Sequence, residues 1–198
     1  MKKNKQVAFF DFDGTIYNGD SLIDFIYFAK GNIRATLGLI VLSPFSVLYI
    51  IKFISAQKLK EIWLTYFFKG MPYEKIKVLG NDFTEEIDKR IKASALKEIK
   101  WHQENGNDIY LVSASLDIWL KNWCSNKKIG LISSKLLIEH NMVTGKLKGK
   151  NCNGLEKSIQ IKEAVDLKLY DEVFVYGDTN GDKSMIELGT KKYFKYFS

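Results

Sequence analysis

Val7-Ala8-Phe9-Phe10-Asp11-Phe12-Asp13-Gly14-Thr15 decides how the chain is read. Four apolar residues run into two carboxylates and a Gly-Thr turn. An unbroken apolar run of this length fits a strand buried on both faces, as in a parallel sheet. Gly14 permits a sharp turn that other residues resist. Asp11 and Asp13 then stand just past the carboxyl end of a buried strand, where open α/β sheets bind their ligands. Two carboxylates there repel each other unless a cation neutralises them. Taken alone, the stretch has two readings. One is a Mg²⁺-dependent carboxylate nucleophile with a second carboxylate as acid/base; the other is an acidic turn after a core strand.

The chain has 198 residues, 46% of them hydrophobic, which suffices for one full core plus an insertion. Its formal charge is 30 − 23 = +7, which favours anionic partners. Only Arg34 and Arg90 are arginines, and no aromatic-basic platform accompanies the lysines. Nucleic acid is therefore not expected as a partner. Cys124 and Cys152 match neither a zinc site nor a redox pair, and reduced thiols in a cytoplasmic protein are expected. Met1 to Lys5 reads as a short solvated arm.

Beyond Thr15 strand signals stop. Asp20 or Ser21 can cap a helix that starts at Leu22 and ends near Gly31. Ala35 to Ile51 carries no charged residue. Pro44 is expected to break it into two helical pieces, packed as a hydrophobic hairpin. The segment is short for spanning a bilayer, and peripheral membrane contact through it stays open. Helices follow over 57–69 and 73–90, the second with Ile76, Leu79, Phe83 and Ile87 on one face. A helical unit of residues 17–94 is thus expected between the two parts, 1–16 and 95–198, of an α/β core. In the second part, helices are expected over 93–104, from about 116, over 155–167 and over 184–188. Strands are expected over 108–113, 131–138, 172–177 and 193–197, with a hairpin turn at Glu139-His140-Asn141. The alternation argues for a doubly wound, mostly parallel sheet.

In such a sheet all strand carboxyl ends share one edge. Asp11-Phe12-Asp13-Gly14-Thr15, Ser113-Ala114-Ser115 and Gly177-Asp178-Thr179-Asn180-Gly181-Asp182 can therefore meet at one site, with a lysine from the intervening helix. Lys157 is the first candidate and Lys162 a competing one. Each part suits phosphoryl transfer, which needs positioning and charge neutralisation. His102 and His140 read as structural or surface residues.

These motifs, in this order, resemble the haloacid dehalogenase-like phosphohydrolases over nearly the whole chain. Thr144-Gly145-Lys146-Leu147 and Asn151-Cys152-Asn153-Gly154-Leu155-Glu156-Lys157 resemble the phosphoserine-phosphatase-like branch. The resemblance implies a small helical cap between the first and second motifs, Mg²⁺ as cofactor and a small phosphorylated substrate. It implies Asp11 as nucleophile, Asp13 as general acid/base, and Thr15 as support for the loop. Ser113 and the Ala114 amide would bind phosphate, and Lys157 would neutralise charge. Asp11, Asp13 through its main-chain carbonyl, and Asp178 would bind the metal, with Asp182 near its waters or bonded to Lys157. Two positions depart from that branch: Asp20 stands where a glutamate reads the substrate amine, and Gly181 where asparagine is usual. The activity implied is a phosphatase working through an aspartyl-phosphate. A phosphotransferase or mutase on the same scaffold, or a membrane-associated protein acting on a lipid-linked phosphate, are the alternatives.

Overall fold

The computed structural model describes residues 5–198. The solvated arm expected at the start lies outside these residues except for Lys5. Lys5 is tied down: its N–H donates to Asp171 Oδ2 at 2.9 Å.

Five parallel strands form the central sheet: β1 (Gln6–Phe10), β2 (Asp108–Leu116), β3 (Gly130–Ser134), β6 (Glu172–Gly177) and β7 (Lys191–Phe194). Their order is β3-β2-β1-β6-β7. The chain therefore builds outward from β1 on one side and then on the other, which places the topological switch point at β1. Side chains alternate across the sheet. Ala8 and Phe10 join the larger core, with Tyr176 and Trp119. Val7 and Phe9 join the smaller one, with Val175 and Ile161. On the second face lie α7 (Leu155–Ala164) and the single turn α8 (Lys183–Ile186).

Between β1 and β2 come α1 (Ser21–Lys30), α2 (Asn32–Ile50), α3 (Ala56–Phe68), α4 (Tyr73–Asp88) and α5 (Ala93–Glu104). Asp20 is the cap of α1, its carboxylate accepting from the Leu22 and Ile23 N–H groups. On α4, Ile76, Phe83 and Ile87 are buried as the spacing predicts. Gly80 lets α4 press on α6 (Asp117–Lys127), because a Cβ there would lie 2.1 Å from the Ile118 carbonyl oxygen.

Three expectations are corrected. First, α2 is one continuous helix through Pro44, not a hairpin. Proline cannot donate to the Ile40 carbonyl, but the Ser43 hydroxyl does so at 2.8 Å, so the helix continues without a vacant acceptor. Second, 131–138 is not one strand. β3 belongs to the main sheet, whereas β4 (Leu136–Glu139) pairs antiparallel with β5 (Met142–Leu147) in a separate hairpin. His140 and Asn141 turn that hairpin with positive φ, 46° and 61°. Third, the last strand is 191–194 rather than 193–197, so that it pairs with β6 from Phe174 to Gly177.

Candidate active site

The edge formed by the carboxyl ends of β1, β2 and β6 carries a cavity of about 220 Å³ lined by Asp11, Asp13, Ser115, Lys157 and Asp182, among others. The Asp11 N–H donates to the Tyr176 carbonyl at 2.9 Å, so the sheet fixes Asp11 directly. The next six residues form a tight loop in which the Thr15, Ile16 and Tyr17 N–H groups turn back to the Phe12 carbonyl. Gly14 has φ +80°, and a Cβ there would lie 2.4 Å from Asp178 Oδ2. Glycine is required at that position twice over, for its backbone angle and for the approach of the carboxylate.

Lys157 is nearly fully buried and supplies the lysine; Lys162 lies exposed on α7. The Lys157 ammonium donates to Asp11, to Asp182 Oδ1 at 2.7 Å and to the Val112 carbonyl at 3.0 Å. Burial alone would lower its pKa, but Asp11 and Asp182 hold it above the ordinary lysine range. Burial likewise pushes against ionisation of Asp182, yet Lys157 and the Thr179 donors hold its pKa low. Desolvation raises Asp11 to about 6, opposed by Lys157 and Thr15.

Asp13 has different neighbours. Its Oδ1 accepts from the Ser21 N–H at 2.7 Å and its Oδ2 from the Ser115 hydroxyl at 2.5 Å. Burial, with Asp20 nearby, raises Asp13 to about 7. The chain of donors runs on from Trp119 Nε1–H to Ser21 Oγ at 3.2 Å and from Ser21 to Ser115 Oγ at 2.8 Å.

The carboxylate oxygens of Asp11, Asp178 and Asp182 lie within 4.8 Å of one another. Three carboxylates against the single Lys157 leave two negative charges uncompensated. Among the described residues, the only side-chain donor near the Asp178 carboxylate is the Thr15 hydroxyl, at 3.0 Å, and its single proton is shared with Asp11 Oδ2 at 2.8 Å. An all-oxygen donor set with that charge suits a hard divalent cation. The Asp13 carboxylate is turned away from this group towards Ser21 and Ser115.

The second motif differs in detail from the sequence reading. β2 runs past Ser113 to Leu116, with a register shift against β3: Ser113 pairs with Ser133 and Leu116 with Ser134. Ala114 and Ser115 bulge out of the ladder and line the cavity. The Ser113 hydroxyl is buried beneath them and accepts from the Ser115 N–H at 2.9 Å. Asp20 lines the cavity too, but its carboxylate is the cap of α1. At Gly181, an added Cβ would lie 2.3 Å from Asn153 Oδ1, so the Asn153 side chain already fills that space.

Two cavity residues carry no role in the sequence reading. Ser115 has none there because Ser113 reads as the end of the strand. Lys60 on α3 reaches into the cavity and donates to the Ala114 carbonyl at 2.6 Å and to Asn151 Oδ1 at 2.8 Å. Burial lowers it to about 8. A signal for it exists: Lys60 precedes the buried Leu64 and Phe67 by four and seven residues, a lysine on an apolar stripe.

A parallel sheet with a strand-end carboxylate, a buried lysine and a three-carboxylate group at its switch point is the framework of an α/β enzyme. Residues 8–187 match the family described as haloacid dehalogenase-like hydrolase, and the chain belongs to that family. It is 27% identical to Protein CicA of Caulobacter vibrioides (strain NA1000 / CB15N) over 193 residues, 95% of this chain and 85% of that protein. Its fold is similar to a protein of unknown function from Bordetella pertussis Tohama I, with TM-score 0.80 and 17% identity, covering 96% of this chain and 89% of that one. It is also similar to a phospho-aspartyl intermediate analogue of phosphoserine phosphatase, with TM-score 0.69 and 19% identity, covering 96% and 86%.

Proposed function

We propose that this hydrolase is a Mg²⁺-dependent phosphatase of small phosphomonoesters and that the phosphoryl group passes through an acyl phosphate on Asp11. The observation that carries the reading is the division between two carboxylates two residues apart. Asp11 is paired with a buried ammonium, whereas Asp13 meets only neutral donors. Environments that separate two carboxyl groups in this way assign one as nucleophile and the other as acid/base.

In the first step an Asp11 oxygen attacks phosphorus and the bond to the leaving oxygen breaks. Protonated Asp13 gives its proton to that oxygen. In the second step the Asp13 carboxylate takes a proton from water as the water attacks phosphorus. The acyl phosphate bond breaks, inorganic phosphate leaves and Asp11 is restored. Lys157 holds Asp11 and neutralises phosphoryl charge. The Ala114 N–H at the bulge supplies a donor; the Ser115 N–H is taken by the Ser113 hydroxyl. Asp11 and Asp178, with the Asp13 carbonyl, would hold Mg²⁺, with Asp182 beside them on Lys157; the ion would neutralise charge on the phosphoryl oxygens when bound.

The helical unit, 17–94, is proposed as the cap of the site over a core of 1–16 and 95–198. Leu22 of α1 and Ala56 and Lys60 of α3 already form part of the cavity wall, which supports this. Lys60 adds a cation that favours an anionic substrate. Phosphoserine phosphatase is among the proteins of similar fold. Here Asp20 is engaged as a helix cap and Asn153 occupies the space beside Gly181, so a small phosphomonoester is as far as the substrate is assigned.

The test is release of inorganic phosphate from a panel of phosphomonoesters with and without Mg²⁺. Mg²⁺-dependent release that Asp11→Asn abolishes is expected. A well-folded protein that cleaves none of them would contradict the proposal.

A further inference from the structure

α2 is packed along one narrow stripe only. Ala35, Gly38 and Leu42 are its buried residues, and a Cβ on Gly38 would lie 2.5 Å from the Phe67 ring of α3. On the opposite side, Ile33, Leu37, Ile40, Pro44, Val47 and Ile51 follow one another in steps of four and three. That spacing keeps them on one face of a helix. Of these, Ile33, Leu37, Ile40, Val47 and Ile51 are each more than half exposed, and the apolar surface continues through Ile50 and Phe53. The helix has mean hydropathy 1.8, yet only 17% of that stretch is buried, unlike a core helix of this composition. Single exposed apolar residues are ordinary, but a continuous stripe marks a contact surface.

The charges around the stripe name the partner. From Phe25 to Lys60 there is no carboxylate, whereas Lys30, Arg34, Lys52, Lys58 and Lys60 are all basic. Of these, Lys60 turns inward to the cavity. At the start of α2 the Lys30 pKa is lowered, first by burial and then by Lys75 and Arg34, so three cations crowd there. Lys52 follows the other end.

We propose that α2 docks this protein on an anionic bilayer, lying in the plane of the headgroup–acyl boundary with the Ile33–Ile51 stripe in the acyl region. Lys30, Arg34 and Lys52 meet the lipid phosphates. A second copy of the chain fits less well. Two-fold pairing of antiparallel α2 helices would bring the Arg34 end of one against the Lys52 end of the other, cation against cation. The helix lies on the bilayer and does not cross it, because its Ala35–Gly38–Leu42 stripe stays packed on the body. Ala56, in the cavity wall, follows exposed Phe53 by three residues, so the docked face lies within about 11 Å of the cavity. The docking surface is independent of the chemistry proposed above.

Flotation of the full chain with vesicles of phosphatidylcholine, with or without phosphatidylglycerol, tests this. Wild type should float with the anionic vesicles, less so at high salt. Arg34→Ala and Lys52→Ala should each weaken binding about fivefold. Ile40→Glu/Val47→Glu should weaken it about tenfold or more. Circular dichroism and the thermal midpoint show that this variant is folded, since both residues are exposed. Wild type that stays at the bottom of the gradient, or a double variant that floats as well as wild type, overturns the proposal. So does a dimer in analytical ultracentrifugation that the double variant dissociates while wild type ignores vesicles; that outcome assigns the face to a second copy.

Discussion

Asp182 Oδ1 accepts from Lys157 Nζ at 2.7 Å with both side chains only 2% exposed. The other Asp182 oxygen accepts from the Thr179 N–H and hydroxyl, both at 2.9 Å. Lys157 is thereby held against Asp11 from the far side of the site. Asp182→Ala leaves Lys157 paired with Asp11 alone and deprives the Thr179 N–H and hydroxyl of their acceptor. It should therefore cost about 1–3 kcal/mol in urea unfolding, more than a surface carboxylate. A loss below about 1 kcal/mol would show that the pair is not held as described.

Asp178 differs from Asp182 in having Thr15 as its described side-chain donor, which leaves its carboxylate available to a cation. Asp178→Asn should fold normally but bind Mg²⁺ more than about tenfold less tightly, measured by calorimetry. Turnover should fall with it, and excess EDTA should abolish turnover in wild type. Unchanged Mg²⁺ affinity would remove Asp178 from the metal site.

Lys60 predicts a pH-dependent affinity. Its ammonium loses its proton near pH 8, well below an ordinary lysine, so the cation present at pH 7 is lost as pH rises through 8. KM should rise across that window. Lys60→Met should show a KM about tenfold higher at pH 7 and no such rise. An unchanged KM would exclude Lys60 from substrate binding.

His102 predicts a stability effect remote from the site. It is fully buried; Nδ1 accepts from Asn107 Nδ2 at 2.8 Å, leaving Nε2–H to donate to the Tyr176 hydroxyl at 3.0 Å. Burial lowers it to about 4, from 6.5. Between those values the unfolded chain binds the proton and the folded one does not, so stability falls as pH drops through 6.5. The loss from pH 7 to 5 should be roughly 1–2 kcal/mol greater in wild type than in His102→Gln. Parallel pH profiles would show that His102 is not neutral in the folded protein.

β1 and β6 are read correctly from sequence because a strand buried on both faces writes itself as an unbroken apolar run. Asp11, Asp13 and Asp178 follow from those strand ends, and Lys157 from motif order. What the sequence hides is set by single contacts. The Ser43 hydroxyl carries α2 through Pro44, and one residue, Lys135, separates strands of two different sheets. Two extra residues in the β2 ladder exchange Ser113 for Ala114 and Ser115 at the cavity. Lys60 reaches the site only because α3 packs over Asn151 and Ala114, a tertiary fact with a faint periodic trace.

The measurement that bears most directly on the proposed chemistry is acid-quench trapping of the phosphoenzyme, with the modified residue located by mass spectrometry. Wild type should carry phosphate on Asp11, and Asp11→Asn should carry none. Asp13→Asn should be phosphorylated slowly by a substrate with a good leaving group, which needs little protonation. Its phosphoenzyme should persist, because the attacking water lacks its base; acid/base help of this kind is worth about 10²–10⁴-fold. Phosphate on Asp13 in wild type, or normal labelling of Asp11→Asn, would contradict the assignment of the two carboxylates.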